Sequence, residues 1–486
     1  MAAGPRSKGW WQLVRVLRLA AAGVASGRAA LPGVAAITNV TPQPICDKLP
    51  PLFDHHPGNM EQLTLRPIDR VEGEVWLPGS KSLSNRALLL SALAEGETRL
   101  VNLLASDDTR VMLAALRQLG IPITEEHDSV VVRGGGGLFQ SPNENHFFLG
   151  NAGTAIRPLT AALAMMPGEF EVDGDEYMRE RPIAHLVDAL RQLGASIRYT
   201  GKEGCPPITV TGGNIRGGKV SLDGSLSSQY LTSLLMALPL AAADSEVTVL
   251  GEQVSTPYLD ITLSIMSRFG VTATHDNYQA FHIKGGQQYV SPGEFLIEGD
   301  ASSASYFFGA AAVAGSIRVH GVGSESVQGD VQFLDVLEQM GAEVERSPHY
   351  VDVRRGELRG VDVDLNHIPD AAMTIAAIAL FAEGPTRIRN IYNWRIKETD
   401  RMTAMANELR KVGATIETGD DWIFVEPPVD GITSASIDTY GDHRMAMCLS
   451  LAAMGDASIT INDPDCTGKT FPGYFDEFAR VSVARE

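Results

Sequence analysis

The sequence predicts an α+β protein built from six copies of one supersecondary unit. Six times along the 486 residues, a run of small apolar residues leads into a tight turn and then a β-branched strand. The turns recur about every 70 residues, and a fixed period of this kind indicates a repeated unit. They fall at Gly96, Gly168, Asp244, Gly315, Gly384 and Gly455. Six units divide most simply into two halves of three.

The apolar run of each unit predicts a helix that is buried on every side. A surface helix needs a polar face, and these runs have none. The six copies are ALLLSALAEGETRLVNLL (87–104), LTAALAMMPGEFEVDG (159–174), LTSLLMALPLAAADSEVTVLG (231–251), YFFGAAAVAGSIRVHGV (306–322), MTIAAIALFAEGPTRIRNI (373–391) and MAMCLSLAAMGDASITIND (445–463). We therefore expect the helices to lie inside and the sheets outside.

A polar segment precedes each apolar helix. These segments are PGSKSLSNR (78–86), GNAGTAIRP (150–158), DGSLSSQY (223–230), EGDASSAS (298–305), NHIPDAA (366–372) and YGDHR (440–444). A helix N-terminus presents unpaired N–H groups and a positive dipole end, so it attracts anions. Several such starts facing one cleft, with Lys, Arg, Ser and Asn side chains, would bind a small polyanion.

A second, more polar helix follows in each unit and ends at a glycine in the first five. The copies span 107–120, 181–194, 255–270, 329–341, 397–413 and 471–483. Glycine after the last apolar position is typical of a left-handed C-cap. Pro182 and Pro257 suit the first turn of a helix, and 196–200 and 415–418 alternate as strands do. The starts of these helices are expected at the cleft, with Arg181, Ser255, Lys397 and Lys469.

Composition excludes several classes of function. With 44% apolar residues and a net charge of −19, the chain can form a large core and is poorly suited to nucleic acid. Its cysteines are Cys46, Cys205, Cys448 and Cys466, without the spacing of a zinc site or a disulfide framework. We expect no metal site and a reducing compartment, the cytoplasm.

The first 59 residues differ from the rest, because bases but no Asp or Glu occur before Cys46. The uncharged stretch 19–27 is too short to span a bilayer. Three interpretations stay open: a transit peptide, a weak secretory signal, or sequence upstream of a protein that starts at Met60.

Three polar positions have both a structural and a chemical interpretation. Asp370 can cap the helix that follows it, and Glu398 can belong to an exposed i,i+4 charge pattern. Among so many cations, however, two carboxylates can also divide the roles of base and acid. His443 starts a helix and is most simply a structural hydrogen-bonding group. A P-loop is excluded, because neither Lys81 nor Lys469 has the required upstream glycine.

Nine strings in the polar segments together resemble the 5-enolpyruvylshikimate-3-phosphate (EPSP) synthase family. They are LPGSKSLSNRALLL, FLGNAGTAIRPL, RERPI, SSQYL, EGDASSASY, NHIPDAAMT, NWRIKETDRM, DHRMAM and KTFPGYF. The resemblance covers residues 60–486 and is closest to enterobacterial-type members. It implies two domains of three βαβαββ units each, the inside-out α/β barrel of the enolpyruvyl transferase fold. The first domain would comprise 80–298, and the second 60–79 with 299–486.

The resemblance also implies a reaction. Family members transfer the enolpyruvyl group of phosphoenolpyruvate to the 5-hydroxyl of shikimate 3-phosphate in the cleft between the domains, without a cofactor. They are usually monomers. Gly153 and Pro158 match members that glyphosate inhibits by occupying the phosphoenolpyruvate position.

Site residues follow from the same resemblance, position by position. Asp370, Glu398 and Lys81 match the residues that move protons. Shikimate 3-phosphate would bind to Lys81, Ser82, Arg86, Ser227, Ser228, Ser255, Asp370, Asn393 and Lys397. Phosphoenolpyruvate would bind to Lys81, Asn151, Gly153, Arg181, Gln229, Arg401, Arg444 and Lys469.

Two other functions stay open at this stage. The first is the enolpyruvyl transferase that acts on UDP-N-acetylglucosamine, which shares the fold but commonly uses a loop cysteine as acid. The second is a non-catalytic anion-binding protein, which would not need Asp370 and Glu398 among the bases.

Overall fold

The computed structural model describes residues 61–137, 139 and 144–485. Within them, a helix is present at each predicted apolar run. We number the helices in chain order, so that the odd-numbered ones are α1 (Lys81–Leu93), α3 (Gly153–Met165), α5 (Ser228–Ala237), α7 (Ala301–Val313), α9 (Ala372–Ile378) and α11 (His443–Leu449). Twelve of the 13 residues of α7 are buried, which confirms the expectation for an apolar helix without a polar face.

The second helix of each unit is also present. These helices are α2 (Asp107–Gln118), α4 (Ala184–Gln192), α6 (Pro257–Arg268), α8 (Phe333–Met340), α10 (Arg401–Lys411) and α12 (Tyr474–Val481). The glycines after the first five have positive φ, as the C-cap prediction requires; Gly341, for example, has φ 116°. Pro257 occupies the first turn of α6. The prediction for Pro182 is wrong, because α4 begins later and the Pro182 carbonyl accepts a hydrogen bond from Tyr230.

The strands form six open sheets in the described part of the chain. In chain order they are β1 (Gln62–Leu65), β2 (Ile68–Trp76), β3 (Glu95–Val101), β4 (Ile123–Glu125), β5 (Ser129–Gly135), β6 (His146–Phe148), β7 (Gly168–Asp173), β8 (Ser196–Tyr199), β9 (Ile208–Gly212), β10 (Gly218–Asp223), β11 (Ser245–Leu250), β12 (Ala273–Asp276), β13 (Ala280–Ile283), β14 (Glu294–Leu296), β15 (Gly315–His320), β16 (Glu343–Arg346), β17 (Tyr350–Arg354), β18 (Asp362–Asp364), β19 (Thr386–Arg389), β20 (Thr415–Thr418), β21 (Ile423–Glu426), β22 (Ala435–Ile437), β23 (Ile459–Asn462) and β24 (Ser482–Ala484). The strand orders are β14-β3-β5-β4, β6-β7-β9-β8, β10-β11-β13-β12, β16-β17-β15-β2-β24, β18-β19-β21-β20 and β1-β23-β22.

Each sheet repeats one pattern. A strand that precedes a buried helix pairs in parallel with a strand that follows one, as β6 does with β7. In five of the sheets an antiparallel hairpin, such as β8–β9, completes the layer. The parallel pair needs a crossover, and the buried helix supplies it. The structure is therefore the predicted α+β fold with helices inside and sheets outside.

The strands that precede α1 and α7 are exchanged between two sheets. Strand β2 comes before α1 in the chain but pairs in parallel with β15, and β14 comes before α7 but pairs in parallel with β3. The chain thus crosses twice between two regions, and the crossings touch at a bridge between Gly79 and Gly299.

The buried apolar residues form two separate clusters. One, the first core, runs from Leu83 to Ile297; the other, the second core, combines 63–77 with 301–481. We call the corresponding parts of the chain the first and second halves. None of the described helices is both long and apolar enough to cross a bilayer. The three interpretations of residues 1–59 lie outside the described residues.

Close helix packing in the second core leads to a stability prediction. A Cβ on Gly309 of α7 would lie 2.9 Å from Cγ2 of Thr374 and 3.1 Å from Cγ2 of Ile378, both in α9. We expect Gly309→Val to lower the free energy of unfolding in urea by about 1–3 kcal/mol, because α7 and α9 must separate. The control is Gly135→Val in β5, where the nearest atom to a Cβ lies 4.0 Å away. Equal effects of the two substitutions would contradict this packing argument.

Candidate active site

A cavity lies where the buried helices of both halves begin. All six odd-numbered helices contribute residues at or next to their N-terminal ends, as the polar segments predict. Residues from these six starts that line the cavity include Lys81, Ser82, Gly153, Thr154, Ser227, Ser228, Gln229, Asp300, Ser302, Asp370 and Arg444. Residues at or near the starts of the even-numbered helices join them: Asp108, Arg181, Ser255, Tyr258, Asp330, Asn393, Lys397 and Glu398.

The Arg401 guanidinium holds the two predicted catalytic carboxylates together. Its side chain is 1% exposed at the start of α10. Its Nη1 donates to Asp370 Oδ1 at 2.8 Å and its Nη2 to Glu398 Oε2 at 2.8 Å. Its Nε donates to Asp442 Oδ2 at 2.7 Å. These carboxylates hold the pKa of Arg401 above its usual value, although burial opposes this.

Cations also determine the charge of both carboxylates. Burial opposes ionisation of Asp370, but Arg444, Lys397 and Arg401 hold its pKa well below the usual value. Arg444 Nη2 lies 3.0 Å from Asp370 Oδ2, and Lys397 Nζ lies 3.6 Å from Oδ1. Asp370 is not a helix cap, because Ala371 occupies that position in α9. The structural interpretation of Asp370 is therefore wrong.

Glu398 is similarly surrounded by positive charge. Burial opposes its ionisation, but Arg401 and Lys469, with Arg181 and Lys81 further away, hold its pKa well below the usual value. Lys469 Nζ lies 3.8 Å from Glu398 Oε1, and this carboxylate is 9% exposed. An exposed charge pattern on a helix surface is excluded for Glu398.

The residues predicted to bind shikimate 3-phosphate all line the cavity, and both halves contribute to them. Arg86 is buried; its Nε donates to Thr262 at 2.9 Å and its Nη1 to the Ser82 carbonyl at 2.9 Å. Burial lowers its pKa to about 10, so it stays a cation at neutral pH. The remaining residues of this set are Lys81, Ser82, Ser227, Ser228, Ser255, Asp370, Asn393 and Lys397. Ser227 also caps α5, accepting from the Gln229 N–H at 3.3 Å.

The residues predicted to bind phosphoenolpyruvate connect the two halves. Arg181 Nη1 donates to Asn151 Oδ1 at 2.8 Å, and Lys469 Nζ donates to the Asn151 carbonyl at 3.1 Å. Burial and repulsion from Lys81 and Arg181 lower the pKa of Lys469, although Asp108 and Glu398 oppose this. Lys81, Gly153, Arg181, Gln229 and Arg444 line the cavity. Asn151, Lys469 and Arg401 are not part of the lining, but each contacts a residue that is: Arg181, Glu398 and Asp370, respectively. The structure thus brings the whole predicted set together.

Several residues around the cavity were missed by the sequence analysis. Asp108 lies 3.7 Å from Lys81 Nζ, and Asp330 and Tyr258 form part of the lining. Asp108 and Asp330 occupy the starts of the second helix in the first and fourth units. The repeat could have identified them, because the same position in other units gave Arg181 and Lys397.

The contacts of Arg157 and the surroundings of His443 indicate what these two residues do. Arg157 lines the cavity, donates to Gln229 Oε1 and reaches the Pro182 carbonyl at 3.1 Å, so it braces the α3 start. His443 is fully buried, and neither ring nitrogen has a hydrogen-bond partner among the described residues. Burial and the neighbouring Lys81 and Arg444 hold its pKa well below the usual value, so it is neutral. The interpretation of His443 as a hydrogen-bonding group is not supported.

The described residues contain no group of three or more His, Cys, Asp and Glu side chains placed to hold a metal ion. The chemistry available at the cavity is that of cations, hydroxyls and carboxyl groups, among which Asp370 and Glu398 are held ionised by the surrounding cations. Groups of these kinds can bind anions and transfer protons.

Solved structures of known proteins share this architecture. An EPSP synthase from Acinetobacter baumannii superposes with a TM-score of 0.75 and 25% identity, covering 87% of this chain and 99% of that one. The enolpyruvyl transferase NikO from Streptomyces tendae has a TM-score of 0.70 at 17% identity, covering 87% and 98%, and shows the fold alone. The fold is that of the enolpyruvyl transferases.

Sequence comparisons identify the family. The family model described as EPSP synthase (3-phosphoshikimate 1-carboxyvinyltransferase) matches residues 65–478. Relatives named 3-phosphoshikimate 1-carboxyvinyltransferase include those of Aeromonas salmonicida, 59% identical over 427 residues, and Vibrio cholerae, 58% identical over 426. Both alignments cover 87% of this chain and 100% of the relative. The chain belongs to the EPSP synthase family and is a transferase.

The Arg401 cluster predicts a stability change that depends on pH. Because the pKa values of Asp370 and Glu398 lie below their unfolded values, their ion pairs stabilise the fold at neutral pH and are lost in acid. We expect Arg401→Gln to cost about 3–5 kcal/mol in urea unfolding at pH 7, because Asp370, Glu398 and the fully buried Asp442 all lose their hydrogen bonds to the guanidinium.

That cost should shrink in acid, since Asp370 and Glu398 take up protons at a higher pH without the guanidinium than with it. The control is Arg410→Gln in the same helix, where Arg410 Nη2 donates to the Ile416 carbonyl at 2.8 Å and forms no ion pair with a carboxylate of the described residues. A cost for Arg401→Gln that is independent of pH would contradict the ion-pair interpretation.

Proposed function

We propose that the chain transfers the enolpyruvyl group of phosphoenolpyruvate to the 5-hydroxyl of shikimate 3-phosphate, giving 5-enolpyruvylshikimate 3-phosphate and phosphate. The observation that carries this proposal is the pair Asp370 and Glu398, joined by Arg401 at one cavity. An anion-binding protein gains nothing from two buried carboxylates, whereas addition and elimination need a base and an acid. Both substrates carry a phosphate and a carboxylate, which the surrounding cations would neutralise.

Shikimate 3-phosphate would occupy the wall that carries Arg86, Ser227 and Ser228. The α5 N-terminus there offers backbone N–H groups and hydroxyls to a phosphate. Asp370, with Lys397 beside it, would then face the sugar-like ring and its hydroxyls. Ser255 and Asn393 would complete this set from the two halves.

Phosphoenolpyruvate would bind among the side chains of Arg181, Lys469 and Arg444, which belong to different parts of the fold. An arginine pairs with phosphate or carboxylate through two parallel hydrogen bonds, which fixes the anion's orientation. Gly153 lets the anion approach the α3 N-terminus, because a Cβ there would lie 2.8 Å from Arg157 Nη1 and 3.1 Å from Arg181 Nη2. Asn151 would orient Arg181, and Gln229 would contact the ligand from α5.

The reaction would proceed by addition and then elimination. The low pKa keeps Asp370 ionised, so it can accept the proton of the 5-hydroxyl as the oxygen bonds to C2 of phosphoenolpyruvate. Glu398 would give a proton to the methylene carbon C3, which becomes a methyl group. The resulting tetrahedral ketal carries the phosphate on C2. Loss of that phosphate with one C3 proton restores the double bond.

Glu398 must gain a proton before it can act as acid. In the protein alone, Arg401 and Lys469 keep it ionised. Bound phosphate and carboxylate groups would compete for those cations and raise the Glu398 pKa, so substrate binding would prepare the acid. Lys81, 3.7 Å from Asp108, would contact both substrates and share in proton transfer.

We also propose two domains with the boundaries given above, 80–298 and 60–79 with 299–486. The two separate cores support this division. Closure of the cleft would exclude water from the ketal intermediate and strengthen each ion pair. As the family implies, the protein would be a cytoplasmic monomer that requires no cofactor.

The UDP-N-acetylglucosamine alternative has less support. Its loop cysteine would have to reach the substrate, and among the described cysteines none lines the cavity. Cys205 lies next to a cis-proline pair and outside the cavity lining, where its thiol cannot reach a bound ligand.

The reaction can be tested by measuring phosphate release with both substrates present. We expect the wild type to release phosphate only when shikimate 3-phosphate and phosphoenolpyruvate are both supplied. Asp370→Asn should lower kcat by at least about a hundredfold, because the base is lost, while shikimate 3-phosphate still binds.

The matched control is Asp335→Asn, an exposed carboxylate of α8 that pairs with Arg346. It should keep wild-type turnover. Phosphate release with UDP-N-acetylglucosamine in place of shikimate 3-phosphate would support the other transferase. Binding without any turnover in the wild type would support an anion-binding protein, and unchanged turnover of Asp370→Asn would remove Asp370 from the mechanism.

Inhibition by glyphosate provides a separate test of the phosphoenolpyruvate position. We expect glyphosate to compete with phosphoenolpyruvate in the wild type. Gly153→Ala should weaken glyphosate more than phosphoenolpyruvate, because the added methyl group crowds Arg157 and Arg181. Inhibition constants for both proteins are measured at varied phosphoenolpyruvate. A wild type indifferent to millimolar glyphosate would contradict the assignment.

A further inference from the structure

The two halves touch beside the cavity through a glycine and a proline. A Cβ on Gly329 would lie 2.2 Å from Cβ and 2.7 Å from Cγ of Pro257. Pro257 begins α6 in the first half, and Gly329 begins the turn that leads into α8 in the second. Gly329 has no positive φ, so its backbone does not require glycine. Glycine is required here because any side chain at this position would collide with Pro257 and keep the two halves apart.

The neighbouring residues form a hydrogen bond across the same contact. The Tyr258 hydroxyl donates to Asp330 Oδ2 at 3.2 Å. Ser302 Oγ, from α7, donates to Asp330 Oδ1 at 2.9 Å. Burial raises the Tyr258 pKa well above its usual value, so the phenol keeps its proton and can only donate to the carboxylate.

Asp330 has an environment that fold stability alone does not explain. It is 4% exposed, and no Lys or Arg of the described residues forms an ion pair with it. Burial raises its pKa to about 6; repulsion from Asp370 and Asp300 adds to this, and Arg444 opposes it. A buried carboxylate without a direct cation is costly, and a neutral residue would relieve that cost.

The contact also extends to the substrate wall. The Tyr258 carbonyl accepts from Arg86 Nη2 at 3.3 Å, and Arg86 belongs to the predicted shikimate 3-phosphate set. Ser255 meets the second half as well, because its N–H donates to Asn366 Oδ1 at 3.4 Å. The segment 255–258 therefore contacts Arg86 in the first half and Gly329, Asp330 and Asn366 in the second.

We propose that Asp330 is a positioning residue that receives the Tyr258 hydroxyl only when the cleft is shut, and that Gly329 allows this by admitting Pro257. The pair acts as a latch between the halves. It holds the closed state, in which the cations of both halves surround the same ligand. The effect of the latch on KM rests on the proposed function, whereas closure of the cleft can be measured without any turnover.

Closure is tested by small-angle scattering of the full chain with and without shikimate 3-phosphate. We expect the ligand to reduce the radius of gyration of the wild type. In Gly329→Val the valine would meet Pro257, so the radius should stay at its unliganded value. The control Gly135→Val, in an open position of β5, should compact like the wild type. Full compaction of Gly329→Val would overturn the latch.

A double-mutant cycle tests the hydrogen bond. Tyr258→Phe and Asp330→Ala should each raise the KM for shikimate 3-phosphate by about ten- to a hundredfold, the usual worth of one hydrogen bond to a charged group. The double variant should be no worse than the poorer single variant, because both changes break one contact. Effects that multiply would overturn the latch.

The conservative variant distinguishes a positioning role from a structural one. Asp330→Asn keeps an acceptor oxygen for Tyr258 and should bring the KM back to within about threefold of the wild type, without loss of stability in urea. A KM unchanged in Asp330→Ala, with stability reduced, would mean a structural role and would overturn the proposal. Absence of wild-type turnover would instead refute the proposed function, while scattering would still report on the latch.

Discussion

The buried guanidinium of Arg401 determines the charge state on which the cavity depends. It bonds three carboxylates at once, Asp370, Glu398 and Asp442, all from the second half. Asp370 and Glu398 are therefore oriented mainly by groups of the second half, while Arg181 and Lys81 of the first half add to the ionisation of Glu398. Pre-oriented charge of this kind costs no rearrangement during a reaction. The first half adds Arg86, Arg181 and Lys81 to the lining, and the proposed function assigns these cations to the anionic substrates.

The repeated unit explains why the site lies where it does. A buried helix without polar residues can place charged groups only at its ends, and the short segment before it is the available position. Six helices packed in two cores direct six such segments to one cavity. Backbone N–H groups and side-chain cations then act together on the same ligand. The acidic surface of the protein does not prevent this, because the cations are concentrated where the helices start.

Local sequence was sufficient for most of the fold. The apolar runs, the glycine after each second helix and the alternating segments all depend on neighbouring residues, so periodicity reveals them. The failures come from contacts between distant residues. Spacing gives no sign that Asp370, Glu398 and Asp442 share one arginine, so Asp370 resembled a cap and Glu398 part of an exposed charge pattern. Asp330 escaped notice because an isolated aspartate at a helix start is ordinary until Tyr258 is seen opposite it.

The exchange of β2 and β14 affects the order in which parts of the chain can fold during synthesis. Glu74 of β2 meets His320 of β15, 246 residues later in the chain. While the ribosome adds those residues, β2 has no partner strand, and an unpaired strand edge invites association with other chains. The second core is incomplete until β15 emerges, although the first core can assemble earlier, needing only β14 to finish its outer sheet. The second half is not one continuous stretch, so a fragment that begins at α7 would lack β2, an interior strand of its own sheet.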